Sequence, residues 1–154
     1  MDRIDKKILT LLQDNGRLSN QELADEVALS PSPCLRRVKA LEDEGIIQKY
    51  VALLDPESLS LQLTVMVSVG LDRHTPERMR QFESAIKKIP EIIQCYLITG
   101  QAADYLLKVI VSNMQHYQKV LLERITQIDG VTSVHSSFVL QKIVDKTNLP
   151  LDFV

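Results

Sequence analysis

The side chains able to do chemistry in this chain are few, and most stand apart. His74, His116 and His135 are scattered, with no carboxylate or cysteine at a metal-ligand spacing. Cys34 and Cys95 lie far apart in sequence and fit neither a zinc spacing nor a disulfide framework; both read as reduced core residues. There is no glycine-rich phosphate loop and no Gly-x-Ser-x-Gly turn. Catalytic residues, metal ligands and cofactors are therefore not expected. An enzyme would have to work from Tyr96 or His135 on an open sheet face.

The concentrated chemistry is cationic and sits in residues 30–45. On a helical wheel with Ser32 at zero, Cys34, Val38 and Leu41 cluster near ~210° and form an inner face. Arg36 falls near ~40° and Lys39 near ~340°, beside Ser32 and Ala40. Arg37 lies at the border, where a phosphate or an intrachain carboxylate would suit it. A major groove accepts a helix with such a small-and-basic stripe, because Arg takes guanine O6 and N7 together and small residues allow close approach. The bland reading is a solvated helix with a charged face, and Glu42, Asp43 and Glu44 lean that way. Asn20, Ser32, Pro33, Arg36, Arg37 and Lys39 are the candidate DNA-contacting residues.

These residues need a scaffold, and residues 1–50 read as three short helices. Asp2 can cap the first, whose apolar residues Ile4, Ile8, Leu11 and Leu12 recur at helical spacing up to Gly16. Ser19 and Glu22 make a capping box for the second, with Leu23, Ala24 and Val27 inward. Ser30-Pro31 opens the third, which runs to Glu44 and stops at Gly45. Residues 46–54 are β-branched and apolar and should be extended.

After the turn-rich Asp55-Pro56-Glu57-Ser58 the pattern changes. Residues 64–71 alternate, with Val65, Val67, Val69 and Leu71 on one side. A helix follows from Thr75-Pro76, with Met79, Phe82, Ile86 and Ile89 inward and Pro90 ending it. Residues 92–99 and 105–111 read as strands around a turn at 100–104. Asn113 caps a helix with Met114, Tyr117, Leu121 and Ile128 inward, and 131–143 form a last, long strand. The order β-α-β-β-α-β implies an antiparallel sheet with both helices on one face. Tyr96 and Ile98 would lie on the other face, which argues for dimerisation through the sheet.

The 154 residues permit one ordinary domain or two small ones, and 45% hydrophobic with 25% charged residues describes a globular chain. The polar N-terminus lacks an apolar signal core and no run is long enough to span a membrane, so a cytoplasmic location is expected. The net charge of −2, with eight Lys or Arg against nine Asp or Glu in residues 1–50, excludes a general polycation. Non-specific DNA affinity should be weak in salt, and more than one copy would be needed to hold a duplex firmly.

Several motifs carry a family likeness. Asp2-Arg3-Ile4-Asp5, Asn15-Gly16-Arg17-Leu18-Ser19, the block 29–37, Leu41-Glu42-Asp43-Glu44-Gly45-Ile46-Ile47, Ala52-Leu53-Leu54-Asp55-Pro56, Thr99-Gly100 and Asp104-Tyr105-Leu106-Leu107 resemble the Lrp/AsnC (feast/famine) transcriptional regulators. Ser136-Ser137-Phe138-Val139-Leu140 and Asn148-Leu149-Pro150-Leu151 resemble its Lrp-like branch. The likeness runs through essentially the whole chain. It implies an α+β chain: a winged helix-turn-helix over 1–50, a linker strand or hinge over 51–61, and a ferredoxin-like βαββαβ effector-binding and oligomerisation domain over 62–154. It further implies double-stranded DNA as partner, homodimers assembling to octamers, and a small amino acid, leucine- or methionine-like, as effector.

By the same resemblance the effector sits between dimers near the loop 100–104, approached by the last strand near Ser136 and Ser137, and the candidates are Gly100, Gln101, Asp104, Met114, Ser136 and Ser137. Amides at Gly100 and Gln101 can hold an α-carboxylate, Asp104 can accept an α-ammonium, and the two serines can add hydroxyl contacts. Against these stand plainer roles: Asp104 as a turn cap, Ser136 and Ser137 as strand residues at a subunit contact, Met114 as core. The family commonly has two residues between this Gly and this Asp. Here Gln101, Ala102 and Ala103 make three, which shifts the turn amides by up to about 3.5 Å. Two alternatives stay open, an effector-independent DNA-organising regulator of the same fold and a small oligomeric ferredoxin-like enzyme.

Overall fold

Asp2 starts the chain's first helix as its residue type predicts. In the computed structural model, which describes residues 1–100 and 102–153, its carboxylate accepts from the Ile4 and Asp5 amides while Asp5 reaches back to the Asp2 amide. This closes a capping box on α1 (Arg3–Asp14). Ser19 and Glu22 close a second on α2 (Asn20–Glu26). The third helix, α3 (Pro31–Asp43), has Ser30 at its N-cap position and Pro31 in its first turn, but the Ser30 side chain makes no capping bond. Glu44 ends α3, and Gly45 follows with φ +73°, the left-handed backbone that favours glycine.

The three helices bury Ile8, Leu9, Leu23, Ala24, Val27, Cys34 and Leu41 together. Residues 46–54 are not a strand. The Ile47 amide bonds the Leu41 carbonyl and Ile47 joins the core edge, but the rest finds no neighbouring strand among the described residues. A β-strand is made by ladder bonds to a neighbour, and the exposed residues 48–54 can leave their polar groups to water, so the apolar pattern alone does not make this segment a strand in one chain. Tyr50 is held instead by its hydroxyl, which donates to Glu42 at 3.0 Å.

Two compact units divide the chain: Met1–Leu53 together with Val144–Val154, and Leu54–Ile143. The expected second domain ran to 154, but residues 144–153 pack on the helices of the first unit. The Gln13 side chain pairs with the Leu149 backbone both ways, accepting at 2.6 Å and donating at 3.2 Å. Asn148 donates to Asp14, and Leu151 seats against the helix core. Gln13 is a half-buried polar residue of α1, and its partnership with a distant backbone carries no periodic signal.

The second unit is a four-stranded antiparallel sheet in the order β2-β3-β1-β4, where β1 is Leu63–Leu71, β2 Ile92–Leu97, β3 Tyr105–Val111 and β4 Val131–Phe138. The crossovers carry α4 (Pro76–Ile86) and α5 (Met114–Val120), the latter prolonged by a π-helical turn, Leu121–Ile125. Val65, Val67, Val69 and Leu71 of β1 and Tyr105, Leu107, Val109 and Val111 of β3 are buried with Phe82, Ile86, Tyr117, Val120 and Ile125. Both helices therefore cover one face, as the alternation predicts, and each large side chain buried there contributes about 1.5–3 kcal/mol. The Phe82 and Tyr105 rings lie 4.6 Å apart, and the Tyr105 hydroxyl donates to Glu83 at 2.8 Å.

The last strand stops at Phe138 rather than at 143. β1 supplies its partners from Leu71 back to Val65, the Val139 amide makes one more bond to Thr64, and there the ladder ends. On the uncovered face Tyr96 is 48% exposed and Ile98 half-buried.

Candidate nucleic-acid interface and effector site

α3 is held from two sides, and that fixes which residues it can offer. On one side the Asn20 side-chain amide donates to the Pro31 carbonyl at 2.9 Å, joining the first turns of α2 and α3. Its own oxygen is buried without a partner, so Asn20 fixes the angle between the helices rather than projecting from them. On the other side Arg37 donates to Asp2 at 2.8 Å and Asp5 at 2.7 Å. These bonds raise the Arg37 pKa, the Asp5 bond most. The Asp2 carboxyl is held below the usual carboxylate range, chiefly by the Asp5 amide and then by Arg37. The border position of Arg37 is thus filled by intrachain carboxylates.

The outward stripe is Ser32, Leu35, Arg36 and Lys39, all exposed, with Pro33 half-buried at its edge. Among the described residues no carboxylate lies within ion-pair reach of Arg36 or Lys39. Cys34, at no exposure, and Leu41 turn inward, and burial pushes the Cys34 thiol up in pKa. A helix pinned at its back and presenting two unneutralised cations with small neighbours is shaped to enter a major groove.

The loop 100–104 has a different character. Gly100 has φ +86° and open space around it, while Gln101 lies outside the described residues. Asp104 knits the loop into the sheet. Its amide donates to the Val69 carbonyl at 2.9 Å, and one carboxylate oxygen accepts from the Leu71 amide at 2.7 Å. The other oxygen meets His74 Nε2 at 2.6 Å. The Asp104 carboxylate thus ties the loop to β1, and its other oxygen faces an exposed, exchangeable partner, because His74 is 69% exposed.

The remaining candidates are not brought to this loop within one chain. Ser136 stands opposite Val67 on the helix-covered face, where its hydroxyl bonds that of Tyr117, and Ser137 stands opposite Met66 on the other face. Met114 starts α5 beyond the far end of β3, roughly 20 Å from Asp104 at about 3.3 Å per residue. The side chains actually beside the loop are His74 and Ser133. A Cβ built on Gly70 would fall 2.5 Å from the Ser133 oxygen and 3.6 Å from the Ala102 carbonyl. A glycine inside an alternating strand is the sequence signal for such a close approach; His74 has no signal at all.

Tyr96 is on β2 and His135 on β4, the opposite edges of the sheet, about 14 Å apart at about 4.8 Å per strand. His116 bridges Ser112 and Glu91, both at 3.2 Å, and Arg124 meets Glu91 at 2.9 Å. Burial pushes the Glu91 carboxyl up in pKa, but hydrogen bonds, from its own backbone and from His116, and the Arg124 charge bring it below its ordinary value. The cluster braces the π-helical turn against the start of β2. Among the described residues no group of three or more His, Cys, Asp or Glu could hold a metal ion, and no helix is long and apolar enough to cross a membrane.

A winged helix-turn-helix followed by a four-stranded α+β domain defines a class of DNA-binding transcriptional regulators with a ligand-binding half. Residues 1–48 match the winged helix-turn-helix DNA-binding family and residues 64–149 the Lrp/AsnC ligand binding domain. The chain is 44% identical over 149 residues to the leucine-responsive regulatory protein of Klebsiella pneumoniae, covering 97% of this chain and 90% of that one. It is 43% identical, with the same coverage, to the leucine-responsive regulatory protein of Escherichia coli K12. Among solved structures, a transcriptional regulator of Neisseria meningitidis in complex with L-methionine is 44% identical with a TM-score of 0.95, covering 99% of this chain and 98% of that one. An AsnC family regulator of Agrobacterium tumefaciens is 37% identical with a TM-score of 0.93, covering 99% of both chains. The chain belongs to the Lrp/AsnC family of transcriptional regulators.

Proposed function

We propose that this regulator reads duplex DNA with Ser32, Arg36 and Lys39 of α3 and changes its DNA binding or assembly when a leucine- or methionine-like amino acid binds at the loop 100–104. The observation that carries the reading is the pair of unneutralised cations, Arg36 and Lys39, on a helix whose Arg37 is already committed to Asp2 and Asp5. Asn20 and Arg37 support the interface by holding α3, and Pro33 shapes its entry turn. At the loop, Gly100 and Gln101 offer amides to the ligand carboxylate and Asp104 meets its ammonium in place of His74. Met114, Ser136 and Ser137 lie too far from the loop to share one small ligand with it in a single chain, so any part they take requires a second subunit.

The amino acid class rests on the relatives, one a leucine-responsive regulator and one solved with L-methionine. The exposed face of the sheet around Tyr96 supports pairing of two copies, from which octamers would build. The relatives are transcriptional regulators, and we read this chain as one without catalysis of its own, working in the cytoplasm. The test selects duplexes from a random library on the wild-type protein, then measures their affinity by fluorescence anisotropy with and without leucine and methionine, and mass by light scattering. The expected result is selected duplexes, a steep salt slope, and an affinity or mass that moves with one of the two amino acids. Binding and mass indifferent to both leucine and methionine would refute the leucine- or methionine-like effector and favour an effector-independent regulator of the same fold.

A further inference from the structure

Leu35 is the one exposed large hydrophobic side chain of α3, at 54% exposure. It is not one of the buried or partly buried side chains of the helix core, among which Val38, Leu18, Leu29 and Ile47 pack at the edge. A solvated helix position needs no leucine, because alanine is the better helix former. The place is nonetheless specific. Leu35 stands one turn after Ser32 and one turn before Lys39, next to Arg36, within the stripe that meets the duplex.

A protein partner is a poor match for this residue. No second large apolar side chain of α3 is exposed to build a patch around it, and the neighbouring cations would have to be stripped of water. A major groove suits it. The cations find phosphates and guanine edges there, and the groove presents one apolar group on its base edges, the 5-methyl of thymine. We propose that Leu35 reads thymine by contact with that methyl, as a specificity-determining residue beside Arg36. The proposal rests on the reading of α3 as the DNA-entering helix.

The test keeps the two separable. Duplexes selected on the wild-type chain are remade with each thymine singly replaced by deoxyuridine, which removes the methyl and leaves every hydrogen-bonding group. At one or more positions the wild type should bind the uracil duplex about fourfold more weakly, the effect of one buried methyl-sized group. Leu35→Ala, which opens no cavity in the core, should bind thymine and uracil duplexes equally at those positions and keep the wild-type response to changed G·C pairs. Leu35→Met should retain the discrimination. Selected duplexes that bind with no thymine-to-uracil difference anywhere would overturn the proposal and leave the DNA-entering role of α3 standing. So would a difference that persists undiminished in Leu35→Ala. A chain that selects no sequence would overturn the reading of α3 and the proposal with it.

Discussion

Arg36 and Arg37 are adjacent and chemically identical, yet the structure gives them separate work, and alanine at each should divide cleanly. Arg37 places one guanidinium nitrogen 2.8 Å from Asp2 and 2.7 Å from Asp5, with its side chain one-third exposed. Exposed ion pairs contribute little each, so Arg37→Ala, which loses two, should lower the urea midpoint by a small but measurable amount. Its effect on DNA should be small and similar for every duplex, since α3 loses a brace but no reader. Among the described residues Arg36 has no ionic partner to lose. Arg36→Ala should leave stability within about 0.5 kcal/mol and weaken a selected duplex by about 1–3 kcal/mol, with preference relaxed at one base pair. Urea unfolding followed by far-UV circular dichroism measures the first quantity, and anisotropy on matched and mismatched duplexes the second. The assignment fails if Arg36→Ala destabilises as much as Arg37→Ala, or if Arg37→Ala is the variant that loses base preference at full stability.

Lys39→Ala should weaken all duplexes alike and lower the salt slope by about one, as expected for a phosphate contact, in anisotropy titrations across salt. Asp104→Asn keeps an acceptor for the Leu71 amide but loses the charge, so the chain should stay folded and bind DNA while its amino-acid affinity by calorimetry falls at least tenfold; an unchanged affinity would remove Asp104 from the site. Gly130→Ala should cost about 2 kcal/mol or more in urea unfolding, because a Cβ there would lie 2.5 Å from Arg78 on a backbone at φ +89°, with Arg78 already tied to Asp72 and Asp129. The depressed Asp2 carboxyl has a definite pH consequence. Its stabilisation is full above the ordinary carboxylate value near ~3.9 and is lost as pH falls through its lower folded value. Acid should therefore loosen the start of α1, seen as amide exchange at Ile4 and Asp5, and Asp2→Asn should flatten that dependence.

The parts that were legible are those where one rule acts locally. Asp2 and Ser19 cap helices, Gly45 stops one, and the alternation of Val65, Val67 and Val69 sets which face of β1 is covered, because each depends only on nearby residues. The wheel likewise put Arg36 and Lys39 outward and left Arg37 on the border. What the chain did not disclose depends on partners distant in sequence. The strand status of 46–54 and the length of β4 are decided by whether another strand lies alongside, which composition does not report. Arg37 meets Asp2 and Asp5 only once α1 crosses α3. Ser136 and Ser137 look like a pair, but a strand turns neighbours to opposite faces, and only the register with Val67 and Met66 says which goes where. Met114 and Asp104 flank one strand, and counting its length was enough to part them.

The return of residues 144–153 to the helical unit gives that unit two covalent cords to the sheet, one leaving at Leu53 and one arriving at Val144. The helical unit is thereby discontinuous in sequence, and its three helices hold their full set of partners only once residues 144–153 have docked, with Gln13 receiving Leu149.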